Sequence, residues 1–307
     1  MGDGTKIEWA TATWNPIIGC SRTSPGCDHC YAIGVVHRGM SEQHRGLTVK
    51  APGEPVDWTG EIRTVPHLLD QPLRWTRPRR IFVNSLSDLF HENLPVDEIA
   101  KVFAVMQLAS QHTFQVLTKR AQRMRRVLLN LEFPRMVDDH RERLRPECGD
   151  FTWPLPNVWL GVSIESDRYA FRARHLVDAP AAVRWVSAEP LLGPVPSLDL
   201  NGIDWVVAGG ESGAQARPMH PDWVIDLRDR CVTAGVAFFL KQWGEYGPSW
   251  TVPDPKPGAT VFVDRDGNIH SADLADIAPS GWCGMNKAGK TRTGRELEGR
   301  TWDEYPA

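Results

Sequence analysis

No stretch of this 307-residue chain approaches 18 consecutive apolar residues, which excludes a membrane-spanning helix as an expectation. The opening residues MGDGTKIEWATATWNP lack a basic start followed by an apolar run, the pattern of a secretory leader. Nor is there a large excess of one charge: the net of -3 at pH 7 argues against tight, indiscriminate binding to a polyanion. No internal repeat or low-complexity tract is evident. What is present, 41% hydrophobic residues, is enough to bury one full-sized core. A soluble, intracellular protein of the cytoplasm is expected, with no membrane partner.

Cysteine is scarce, at six residues, and its distribution is uneven: Cys20, Cys27 and Cys30 fall within eleven positions. Without a leader, reduced thiols and metal ligation are favoured over disulfides. Charge is uneven as well. From Arg74 to Arg145 there are 14 Lys and Arg against 8 Asp and Glu, a local net of +6 that leaves -9 for the rest of the chain. This stretch includes RWTRPRR (74–80) and TKRAQRMRR (118–126), which either track phosphates or form solvated helix faces.

Apolar runs of four to eight residues alternate with helical periodicity, the pattern of parallel strands covered by helices. Strands are predicted at 7–14, 80–85, 113–118, 157–163, 183–187, 203–208 and 236–241. Helices are predicted at 96–110, after Pro95, and at 221–235, between Pro221 and Gly235. The expected fold is α/β, a partial (β/α)6-type TIM-like barrel over residues 1–243 with an insertion near 130–156. An irregular C-terminal extension, 244–307, is expected as a possible lid, with a hairpin turning at Arg265-Asp266-Gly267.

Polar residues follow the apolar runs: Asn84, Ser85 and Asp88; Thr118, Lys119 and Arg120; Ser163 and Glu165; Ser187 and Glu189; Gly209, Gly210 and Glu211; Lys241, Gln242 and Trp243. In a parallel barrel all strands end on one face, so these positions converge into a candidate active-site rim, apart from those that serve as caps and turns.

The segment WNPIIGCSRTSPGCDHCYA sets Cys20, Cys27 and Cys30 on a loop after the first predicted strand. Zinc needs a fourth ligand, which His29 or His37 offers. A four-iron cluster held by three cysteines leaves one iron open. A loop at the C-terminal end of a barrel strand, where chemistry sits, favours the cluster.

The three-cysteine loop resembles that of the radical S-adenosylmethionine superfamily, and more narrowly a phage and bacterial family of radical-SAM-like, three-cysteine proteins of poorly defined activity. The motifs that carry it are WNPIIGC and SPGCDHCYA, then SLSDLF (85–90), LTKR (117–120), GVSIE (161–165), SAEPLLG (187–193), GGESG (209–213), KQWG (241–244) and GRELEGRTWDEYP (294–306). The cysteine spacing departs from the commonest superfamily loop: six residues then two, where three then two is usual.

The resemblance implies a [4Fe-4S] cluster on Cys20, Cys27 and Cys30, with S-adenosylmethionine on its open iron and an electron donor as partner. It implies a cofactor-contacting set of Asn84, Ser85, Ser163, Glu165, Glu189, Gly209, Gly210, Glu211 and Lys241. Together with the charge it suggests a nucleic-acid or nucleotide substrate, DNA or RNA, modified or repaired, with Lys119, Arg120, Arg123 and Arg126 as the phosphate-gripping surface and GKTRTGR (289–295) extending it. The alternative is a nucleic-acid-associated binding protein with a structural zinc. Cys231, in an amphipathic helix, is expected to be a core residue.

Overall fold

The computed structural model describes residues 4, 5, 7–39, 41–253, 255, 256, 258–273 and 279–306. Seven strands form one sheet: β1 (Ala12–Trp14), β2 (Arg80–Val83), β3 (Thr113–Thr118), β4 (Val158–Ser163), β5 (Val183–Ala188), β6 (Trp205–Gly209) and β7 (Ala237–Gln242). Their order in the sheet is their order in the chain. Each strand is laid beside its predecessor, as in a barrel-type sheet, with no reversal at a central switch point. The fold is therefore α/β on a parallel sheet, and each predicted strand corresponds to one of the seven.

The chain divides into two compact units, Met1–Val162 with Arg174–Arg184, and Ser163–Ala173 with Trp185–Ala307. The sequence boundary at 243/244 lies inside the second.

In the first unit β1 to β4 pair in parallel, with Trp14 opposite Val83, Val83 opposite Val116 and Thr118 opposite Val162. Helix α1 (Tyr31–His37) follows the cysteine loop, and α2 (Val96–Leu108) follows β2. Pro95 precedes α2, Asp97 and Glu98 complement the positive end of its dipole, and Ile99, Val102, Phe103 and Met106 are buried. Helices α3 (Ala121–Leu128) and α4 (Phe133–Leu144) fill the connection between β3 and β4. The expected insertion contains α4, which packs on α2 through Phe133 against Phe103, ring centroids 5.3 Å apart.

In the second unit β5, β6 and β7 pair in parallel, and every residue of β6 is buried, the mark of a strand covered on both faces. Helix α5 (Pro221–Ala234) carries both predicted signals. Pro221 opens it beside His220, whose imidazole accepts from the Asp222 amide, and Gly235 closes it at φ +69°. Cys231 on this helix is fully buried.

The C-terminal extension is not irregular. It contains a four-stranded antiparallel sheet of β8 (Tyr246–Pro248), β9 (Thr260–Val263), β10 (Ile269–Ser271) and β11 (Cys283–Lys287), in the order β8-β11-β9-β10. The predicted hairpin is β9–β10. Its turn closes because the Asp264 carboxylate accepts the backbone amides of Asp266 and Asn268 at 3.0 and 2.8 Å. Part of the Gly- and Pro-rich stretch 244–282, at 254, 257 and 274–278, lies outside the described residues.

The last segment runs along the outer side of β7: Leu240 N donates to Trp302 O and Glu304 N to Phe238 O. It caps the edge strand that would otherwise present unpaired backbone groups.

Candidate functional site

The loops that follow β1 and β2 are zipped together. Asn15 Oδ1 accepts from Ser85 Oγ and Leu86 N, Ser87 Oγ donates to Ile17 O, and Gly19 N donates to Leu86 O. Gly19 has φ +101°, and a Cβ there would lie 2.1 Å from Glu61 O, so only glycine lets the chain leave the sheet at this point. The cysteine loop begins at the next residue. Pro25–Cys27 forms a single 3-10 turn, and Cys30 is the N-cap residue of α1.

Arg120, immediately beyond β3, is the centre of the polar network, with its side chain only 4% exposed. Its Nε donates to Glu92 Oε2 at 2.7 Å, Nη1 to Asp88 Oδ2 at 3.0 Å and to Cys20 Sγ at 3.9 Å, and Nη2 to Ser21 Oγ at 2.8 Å and Ser21 O at 3.2 Å. All five donors of the guanidinium are used. Asp88 is as fully engaged: Oδ1 accepts from Phe90 N and Thr118 Oγ1, and Oδ2 from Lys119 N as well as Arg120.

Ser21 Oγ also lies 2.8 Å from His91 Nε2. Because Asn93 N donates to His91 Nδ1, the ring proton sits on Nε2 and points at Ser21. Burial, reinforced by Arg120, pushes the His91 pKa down and keeps that ring neutral.

Two of the three thiols have raised pKa values. Burial pushes Cys20 up to about 12; Asp88 adds to the rise, Arg120 opposes it, and Cys27 and Cys30 raise it further. Cys30 is also raised, by burial first and with a contribution from Cys27, while Lys119 pulls it down. All six cysteines are free thiols.

The donor set, three thiols flanked by Arg120 and Lys119, has the chemistry of a site for a thiolate-bound group. Its geometry is not that of a preformed metal centre: among the described residues no group of three or more His, Cys, Asp or Glu is placed to hold a metal ion. The local structure gives the reason. Cys20 Sγ points at Ser21 O, Cys27 Sγ lies 3.8 Å from Thr23 Oγ1, and Cys30 opens α1, so two of the three thiols are turned to partners within the loop. His37, offered as a zinc ligand, sits at the far end of α1, about 10 Å along the axis from Cys30, and bonds Thr48 Oγ1.

Asn84, directly after β2, has φ +60° and is 3% exposed, with neither amide atom finding a partner among the described residues. A buried unpaired amide costs about 1–3 kcal/mol, so Asn84→Gly is expected to raise stability by about 1 kcal/mol after the lost packing is counted. Urea denaturation checks this; a comparable fall would mean that the amide has a partner.

The remaining expected contacts lie in the second unit, and each strand-end carboxylate there has its own cation. Glu165 pairs with Arg172 at 3.0 Å, both nearly inaccessible, and the same guanidinium donates to Ser163 O. Glu189 pairs with Lys241 at 3.0 Å and accepts from Ser187 Oγ. Glu211 takes Arg217 on both oxygens, at 2.6 and 2.9 Å. As folded, these acids answer internal cations.

Gly209 and Gly210 serve close packing: a Cβ on Gly210 would lie 1.9 Å from Trp243 O, and one on Gly209 would lie 3.1 Å from Glu189 Oε1. Arg172 and Arg217 were missed by the sequence reading, as were Ser21, His91 and Glu92. Arg172 and Arg217 lie seven and six residues after Glu165 and Glu211, but another base lies as near to Glu165, and nothing in the sequence chooses between them.

Of the four cations expected to grip phosphate, Arg120 is buried and Arg123 donates to Glu92 O and Leu94 O. Lys119 is half-buried and Arg126 is exposed. In the tail, Arg295 is committed to Leu240 O and Trp302 O, over the Phe239 ring.

Residues 4–306 match a family described as a protein of unknown function, DUF5131. The chain belongs to the DUF5131 family. No curated protein and no solved structure matches it. The resemblance to radical-SAM-like, three-cysteine proteins is overturned: the family found is DUF5131, with no radical-SAM family match, and no cysteine-based iron-sulfur site is evident among the described residues. Of the motifs that suggested it, the twin glycines have a local packing role. No described helix is long and apolar enough to cross a membrane.

Proposed function

We propose that this DUF5131 chain is a thiolate-centred enzyme in which Cys20, Cys27 and Cys30 take up an iron-sulfur group, with a nucleic acid or nucleotide as substrate. The observation that carries the proposal is a buried arginine donating to Cys20 Sγ, on a loop that carries two further cysteines at the ends of parallel strands. Strand C-terminal ends are where α/β sheets place their chemistry, and the strand order suits a partial TIM-like barrel. Six free thiols accord with a reducing, cytoplasmic setting.

An iron-sulfur group would supply one-electron chemistry, fed by an electron donor, with S-adenosylmethionine as the co-substrate to try at an open iron. The protein's own part is defined by its side chains. Arg120 and Lys119 balance negative charge at the thiols, and Asp88 fixes Arg120. For the substrate, the support is the local charge of +6 and the exposed Arg126.

Anaerobic reconstitution with ferrous iron and sulfide tests the centre. A brown protein absorbing near roughly 400 nm, with about one four-iron cluster per chain, is expected. Cys20→Ser, Cys27→Ser and Cys30→Ser should each abolish the colour, and Cys231→Ala should keep it. Stoichiometric colourless zinc would favour a structural zinc in a nucleic-acid-associated protein. Filter binding of single-stranded DNA, duplex DNA and RNA at low salt tests the substrate class, and no retention of any of them would remove nucleic acid from the proposal.

A further inference from the structure

We propose that the buried amides of Asn84 and Gln115 form a base-reading site within the first unit, for a nucleobase that carries an exocyclic amine beside a ring nitrogen. The proposal deepens the nucleotide reading of the substrate given above, on which it rests, and makes no use of the thiols.

Within this unit the parallel sheet has two unlike faces. Trp14, Val83, Val116 and Leu160 are all fully buried on one of them. On the other, the strand register sets Thr13, Phe82, Gln115 and Trp159 side by side across β1 to β4, and Thr13, Trp159 and Leu117 there are only half-buried. A face that is part aromatic, part polar and not sealed has the make-up of a ligand site.

Two buried amides here lack the partners that burial demands. Gln115, with no exposure at all, donates from Nε2 to Trp9 O at 3.4 Å, and its Oε1 has no partner among the described residues. Asn84 stands two residues beyond Phe82, and neither its Oδ1 nor its Nδ2 is paired. Because Val83 lies opposite Val116, strand spacing puts Asn84 and Gln115 about 8 Å apart. Asn84 also carries a left-handed backbone at φ +60°. An unpaired buried amide and a left-handed backbone each cost stability, and their coincidence in one residue at the end of a parallel strand marks a position kept for binding and not for packing.

The three unpaired atoms define the complement. An exocyclic amine supplies two N–H donors, one for Asn84 Oδ1 and one for Gln115 Oε1, and the ring nitrogen beside it accepts from Asn84 Nδ2. Cytosine and adenine present that edge. Uracil and hypoxanthine put a carbonyl where the amine stands, which would set a third oxygen against two. Aromatic surface for stacking is close by: Trp159 stands opposite Gln115 on β4, and Trp9 packs edge-on against Phe82 with ring centroids 4.9 Å apart.

Calorimetry with the full chain and four nucleosides tests the site. In at least one pair, cytidine against uridine or adenosine against inosine, the amino member should bind at least about tenfold more tightly. Asn84→Gly should lose that preference while gaining stability, so its loss would not be one of folding, and Gln115→Leu, which removes Oε1, should weaken it. Equal affinity within both pairs, or a preference that survives in Asn84→Gly, would overturn the proposal. Filter binding of oligomers of deoxycytidine and of deoxyuridine at low salt separates the base site from the reading beneath it. Equal retention of the two oligomers with no nucleoside preference overturns the base site and leaves nucleic acid as the substrate; no retention of either, with no heat from any nucleoside, overturns both.

Discussion

Alanine at position 210 is expected to cost about 3 kcal/mol or more, whereas alanine at 209 costs about 1 kcal/mol. Two chain segments, 209–211 and 242–244, meet here backbone to backbone. Gly210 N donates to Gln242 O at 3.0 Å, and Glu245 N to Glu211 O at 2.8 Å. A Cβ on residue 210 would sit 1.9 Å from Trp243 O and 2.7 Å from Trp243 C, which only a shift of the main chain relieves. Gly244 meets the same contact from the other side, at φ +90°, with Glu211 O at 2.3 Å from its would-be Cβ. Position 209 differs because its nearest neighbour is Glu189 Oε1 at 3.1 Å, the end of a side chain that can yield. Chemical denaturation of the two variants gives the comparison directly. Equal, small losses would show that the segments separate easily and would reopen a ligand-facing role for the pair.

That contact shows where sequence reading stops. The strands were legible because residues such as WVVAG at 205–209 are buried on both faces, and an uninterrupted apolar run bounded by turns has few other uses. Helix α5 was legible from Pro221 and Gly235, whose backbone preferences act locally. GGE at 209–211 was not, because a glycine required by a neighbour 33 residues away looks the same in sequence as a glycine required by a cofactor.

The acids after the strands were found, but their internal partners were not. Burial makes a carboxylate expensive unless it is paired, and the partners of Glu165 and Glu211, Arg172 and Arg217, lie on the connections that follow, where sequence offers no sign of which arginine turns inward. The basic stretch 74–145 poses the same difficulty. A count of +6 cannot distinguish Arg126, which is exposed, from Arg120, which is sealed against Asp88.

Asp88→Ala is expected to destabilise the chain by about 3–5 kcal/mol, because it leaves Arg120 charged, buried and short of its one buried anion. Asp88 is 5% exposed and accepts four hydrogen bonds, from Phe90 N, Thr118 Oγ1, Lys119 N and Arg120 Nη1. Removing it strands two backbone amides as well as the guanidinium. Asp88→Asn keeps the shape but turns an acceptor into a donor beside Lys119 N and Arg120, so most of the loss should remain. Glu92→Ala is the contrasting case. Its side chain is 61% exposed, and although it lies 2.7 Å from Arg120 Nε, water can replace it, so a loss below about 1 kcal/mol is expected. The double variant Asp88→Ala with Arg120→Met separates the two parts of the cost: with the buried charge gone, much of the stability should return, as it does when a buried ion pair is replaced by apolar volume. Urea melts of the unmodified chain, Asp88→Ala, Arg120→Met and the double variant supply the cycle. If Asp88→Ala alone costs under 1 kcal/mol, Arg120 has another anchor; if the double variant is no more stable than the single one, the backbone amides at 90 and 119, and not the stranded guanidinium, carry the loss.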